Sequence, residues 1–66
     1  MKETKWVEIS VGCDRKEVKA RARAALAEFG QDADKLGPEE IRVDAGTDTD
    51  GHPLYRVRVA QSVLSH

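Results

Sequence analysis

This chain has few of the residues that do chemistry. It has one cysteine, Cys13, and two histidines, His52 and His66, among 66 residues. A lone cysteine closes no internal disulfide and builds no cysteine-based zinc site. A helix start following Cys13 would stabilise its thiolate, but Asp14 beside it acts the other way. As a nucleophile Cys13 would also need a base, and His52 follows a turn while His66 is the last residue. Long apolar runs are missing too. None approaches the length that spans a bilayer, and no apolar leader follows Met1, so the expectation is a cytoplasmic protein with no membrane contact. Strong charge of one sign is also lacking. The net charge of −1 excludes the basic excess of a general nucleic-acid coating protein.

The charges that are present are unevenly spread. Residues 15–29 carry Arg15, Lys16, Lys19, Arg21 and Arg23 against Glu17 and Glu28. Residues 31–51 carry seven acids, from Asp32 to Asp50, against Lys35 and Arg42. The molecule is therefore bipolar, with a basic helix and an acidic loop and hairpin.

Periodicity supplies the elements. Lys5–Val11 alternates as a half-buried strand, with Val7, Ile9 and Val11 on the expected inner face and Trp6, Glu8 and Ser10 on the other. Gly12-Cys13 reads as a turn. Asp14 is a good N-cap, and Glu17 three residues on completes a capping-box pattern. Val18, Ala22, Ala25, Leu26 and Phe29 then fall in one arc at spacings of three and four. Glu17 and Arg21 are spaced to pair across one turn. Gly30 suits the left-handed position after the last turn. A helical turn anchored by Leu36 fits residues 33–36.

Glu40–Asp44 and Tyr55–Val59 alternate again. Ile41 and Val43, with Ala45 next in the period, read inward on the first, and Tyr55, Val57 and Val59 on the second. Asp50-Gly51 between them is hairpin chemistry, because Asp-Gly takes positive φ readily. Pro53 restricts pairing where the last strand begins. If strands one and two are parallel, the link between them is right-handed, and an antiparallel third strand makes the sheet mixed. Residues 61–66 fit none of these elements. The expectation is one α+β domain over residues 1–66, of order β-α-β-β, with one helix packed on one face of a three-stranded sheet.

One helix leaves the other sheet face open. That face should carry Trp6, Arg42, Arg56 and Arg58, with Glu8 and Asp44 among them. A tryptophan among arginines is the composition of a protein-binding hot spot. The same set could stack a base or hold a phosphate, or form cross-strand ion pairs with arginine stems shielding the ring. Lys16, Lys19 and Arg23 form a second basic surface on the helix, beside a stripe of Ala20, Ala24 and Ala27 that helix propensity alone explains. The cations at the helix start oppose its dipole, which an anion would relieve, yet Gly12 belongs to no phosphate-loop motif. Asp44, Asp48 and Asp50 before Gly51 suggest a calcium loop. Aligning Gly51 to that loop's glycine puts Gly46 at the first ligand position and Val57 where a glutamate is required, so turn formation explains them better.

The strand–helix–strand–strand order and the length resemble the dodecin family, small proteins that assemble as dodecamers and store flavins. The resemblance is one of topology. That family carries its flavin-stacking tryptophan on the second strand, whereas the one tryptophan here, Trp6, is on the first and residues 40–46 hold none. No site residue is carried over. In size and in lack of chemistry the chain also resembles small phage and mobile-element proteins, including anti-CRISPR proteins, which block larger machines by binding them.

A core this small supplies roughly 3–5 kcal/mol, so an association is a common supplement where no disulfide or metal staples the fold. The function expected first is therefore a non-enzymatic interaction module without a cofactor, either a homodimer or a binder or inhibitor of a larger protein complex. A nucleic-acid binder using the Trp/Arg face and the basic helix is the second expectation. A dodecin-like oligomer holding a small ligand is the third.

Overall fold

A computed structural model describes residues 3–65. The elements follow as β1 (Trp6–Gly12), α1 (Arg15–Glu28), a single 3-10 turn (Ala33–Lys35), β2 (Ile41–Thr47), β3 (Pro53–Ala60) and α2 (Gln61–Leu64). Helix α1 starts where Asp14 caps it, its carboxylate accepting from Lys16 N at 3.0 Å and Glu17 N at 3.5 Å. It stops at Gly30, whose φ of 74° only glycine adopts freely. The β2–β3 loop turns at Gly51, with φ of 83°. There Asp48 Oδ1 accepts from both Asp50 N and His52 N at 2.9 Å.

The sheet order is β1-β3-β2, and both pairings are antiparallel. Both pairings decide what the sequence left open, the strand order and the relation of strands one and two. They do run parallel, but β3 lies between them and supplies every ladder bond. Pro53 tolerates its place opposite Thr47 because it is the first residue of its strand.

The strand β1 does not alternate throughout. Its register slips between Glu8 and Ser10, leaving Ile9 as the extra residue of a β-bulge. Val7 stands opposite Val59, and Ser10 opposite Val57, so both face α1. Val11 falls opposite Arg56 on the open side and is 41% exposed. The expected inner set Val7, Ile9, Val11 is therefore corrected to Val7, Ile9 and Ser10. Period-two reasoning fails at the bulge, because one added residue inverts every side chain after it.

The core has two halves. Val18, Ala22 and Val57 form one, and Leu26, Val59, Ala60 and Val63 the other. Ile9 and Ile41 pack against both and join them. Residues 61–64, left unassigned by the sequence, form α2 and bury Val63. Gln31 ties that helix down by donating from Nε2 to the Val63 carbonyl at 2.9 Å. Phe29, read from the helical arc as apolar core, is instead half exposed at the helix end. Arg21 reaches back to the Val11 carbonyl at 3.3 Å rather than pairing with Glu17.

Candidate functional site

The open face of the sheet is built from alternate residues of three strands. Strand β3 contributes Arg56 and Arg58. Directly across from them, β1 contributes Val11 and Glu8, and β2 contributes Asp44 and Arg42. Trp6 lies opposite Ala60. Neither α1 nor the 3-10 turn reaches this side. Trp6, Arg42, Arg56 and Arg58 are thus brought together on one surface.

Each arginine has a partner within that surface. The Arg42 guanidinium carbon lies 5.0 Å from the centroid of the Trp6 ring. The two residues belong to opposite edge strands and meet across the β3 end where the small Ala60 stands opposite Trp6. Arg56 Nε lies 3.6 Å from Glu8 Oε1, and Arg58 Nε 3.4 Å from Asp44 Oδ2. Both pairs are diagonal. Glu8 is directly opposite Arg58 and Asp44 directly opposite Arg56, yet each carboxylate leans to the other arginine. With all four side chains about one-third to one-half exposed, such pairs contribute roughly 0–1 kcal/mol each. The face carries three guanidinium groups against two carboxylates and remains cationic.

Two further surfaces adjoin it. Helix α1 packs over β1 and β3, so the inner side of β2 is only partly covered. A groove of about 230 Å³ lies there, with Ile41, Val43, Val57, Ala22 and Ala33 among its lining. Val43 points inward and is nevertheless 40% exposed. Lys19 and Arg23 of the basic stripe stand at its rim, and Arg23 Nη2 is tied to Asp34 Oδ1 at 2.6 Å. Lys16 lies outside the groove on the exposed helix surface. On the open face, a shallow hollow of about 220 Å³ runs between Asp44, Gly46, Leu54, Arg56 and Arg58.

Sequence reasoning missed two features of these surfaces. Exposed Val11 beside Arg56 was hidden by the bulge. The uncovered inner side of β2 depends on strand order, which no local pattern encodes. Sequence reasoning also weighed His52 only as a base for Cys13 and did not group it with Asp48 and Asp50. Asp48, Asp50 and His52 each offer one ligand atom, all within 4.8 Å of one another, but the hydrogen bonds already described account for that arrangement as a turn. Among the described residues, no helix is long and apolar enough to cross a membrane. Compared with family models, curated proteins and solved structures, the chain matches none.

Proposed function

We propose that this chain is a non-enzymatic protein-interaction module whose open sheet face, centred on Trp6, Arg42, Arg56 and Arg58, docks onto a protein partner. The observation that carries the reading is the convergence on one bare sheet face of the Trp6 ring, with the Arg42 guanidinium carbon 5.0 Å from its centroid, and of Arg56 and Arg58. The chain is also extended for its mass, exposing 5015 Å² where a compact protein of 7.3 kDa exposes roughly 4,200 Å². The radius of gyration is 12.3 Å, against about 11 Å for a compact domain of this length, and the molecule is a slab of 38 × 29 × 15 Å. A thin two-layer slab with one bare face is the shape of a part that is completed by association.

The chemistry of the face supports a protein rather than a nucleic acid. A phosphate backbone is best held by unpaired cations, and here two arginines are already partnered by carboxylates and the third by the indole. The same indole contact weakens the ligand-storing reading, since a stacking flavin would have to displace Arg42. A tryptophan with arginines around it and carboxylates at hand can pair with mixed charge while burying an aromatic anchor. The partner can be a copy of this chain or a larger protein that the module blocks.

A photo-crosslinking residue in place of Val11, used in the native cell, tests the reading. One discrete crosslinked protein species, lost when Trp6→Ala is added, is the expected result. No crosslink, or crosslinks indifferent to Trp6→Ala, overturns it. Crosslinks to RNA or DNA transfer the face to the second expectation.

A further inference from the structure

Strand β2 has a long unprotected edge. Its counterpart β1, on the other side of the sheet, is interrupted by the bulge at Ile9, a common way to blunt an edge. Strand β2 runs through seven residues, Ile41–Thr47, without a bulge, proline or lysine. Its backbone alternates. Ala60 N donates to the Glu40 carbonyl and Asp48 N to the His52 carbonyl, so the even-numbered residues turn their polar groups to β3. Ile41, Val43 and Ala45 turn theirs to the free edge. Ile41 N is taken by the Gly37 carbonyl at 3.1 Å. The Ile41 carbonyl and both backbone groups of Val43 and Ala45 remain as a template.

We propose that a second copy of this chain pairs antiparallel along β2, with the two-fold axis at Val43, to form a continuous six-stranded sheet. The register follows from the side chains. Edge-facing residues must oppose edge-facing residues, which leaves registers centred on a single β2 residue. Centring on Arg42 sets Arg42 against its own copy and Glu40 against Asp44. Centring on Asp44 sets Asp44 against its own copy, and centring on Ile41 or on Ala45 sets no cation across from Asp44. Centring on Val43 puts Arg42 across from Asp44 of the second copy, and the symmetry repeats the match. Opposite charges then face each other at a non-hydrogen-bonded pair, where side chains come closest. On the other side of the sheet Val43 meets its copy, and the open flank of the groove beneath α1 is closed.

An interface of this kind is isologous, so it ends at two copies and does not propagate. Both helices lie on one side, and on the other the two open faces adjoin, with the two Trp6 side chains on the outermost strands. This surface is the strand edge and not the open face, and the two are separable by experiment.

Sedimentation from micromolar to millimolar concentration should show a dimer. Ala45→Pro removes an N–H that faces the edge and serves no bond within the chain, so the fold survives and the dimer dissociation constant rises by about tenfold or more. Arg42→Asp and Asp44→Arg each place like charges across the seam, and each alone should be monomeric. Mixed in equal amounts they should form a heterodimer, because every facing pair is then opposite in sign. A wild-type monomer at all concentrations overturns the proposal. So does a dimer that persists in folded Ala45→Pro, or a mixture that associates no better than its components. Trp6→Ala should leave this dimer intact, and a dimer lost in that variant while Ala45→Pro retains it assigns the contact to the open face instead. If Ala45→Pro fails to fold, the mixing experiment decides.

Discussion

The hydroxyl of Ser10 lies opposite Val57 on the helix side of the sheet, 8% exposed and without a hydrogen-bond partner. A buried polar group left unpaired loses its water and gains nothing in return. Ser10→Ala removes the hydroxyl and leaves a volume the site already accepts. The expected result is a gain of about 1 kcal/mol, seen as a rise in Tm of about 4–8 °C. A fall in Tm would mean that the oxygen has a partner, and the account of β1 would need revision.

Arg21 and Gly12 depend on each other in a different way. A Cβ on Gly12 would come within 2.6 Å of Arg21 Nη2 and 3.0 Å of Val18 Cγ2. The guanidinium can move away, but Val18 is fully buried and fixed by its neighbours. Gly12→Ala should therefore cost about 1–2 kcal/mol by chemical denaturation. Arg21→Ala in the same chain should recover the share due to the guanidinium, leaving a residual loss from Val18. A double-mutant cycle measures the two shares separately. Full recovery would place the whole conflict on Arg21.

Much of this architecture is legible before any coordinates. Asp14 and Gly30 bracket α1 because each meets a local backbone need, and Asp50-Gly51 marks the hairpin for the same reason. Leu36 anchors the turn that precedes β2. The composition of the open face follows from alternation in β2 and β3, where no register slip intervenes. Three features resist such reading because none is local. The bulge at Ile9 trades Val11 for Ser10 on the inner face, against the hydrophobicity of both. The central place of β3 is a choice among pairings that the strands themselves do not distinguish. The burial of Val63 depends on where β3 ends in space, so residues 61–64 carry no helix signal of their own.

The contact between Arg42 and Trp6 should be visible in the fluorescence of the single tryptophan. Removing the guanidinium with Arg42→Ala uncovers one face of the ring and costs about 0.5–1 kcal/mol, the scale of an exposed cation–π contact. The emission should shift to the red, and quenching by iodide should increase. An emission spectrum unchanged in Arg42→Ala would show that the arginine does not cover the indole.

The bulge itself predicts an ordering of two alanine substitutions. Ile9 packs against both halves of the core, whereas Val11 lies on the open face beside Arg56. A strand without a bulge would bury both alike. With the bulge, Ile9→Ala opens space where the two clusters meet and should cost about 2 kcal/mol, the low end for a large-to-small change because Ile9 is only partly buried. Val11→Ala should cost less than about 0.5 kcal/mol, as exposed substitutions usually do. Urea titrations of the two variants compare these values directly, with equal slopes needed to read the midpoints as stabilities. Comparable losses at the two positions would put Val11 back in the core and remove the register on which the open face is built.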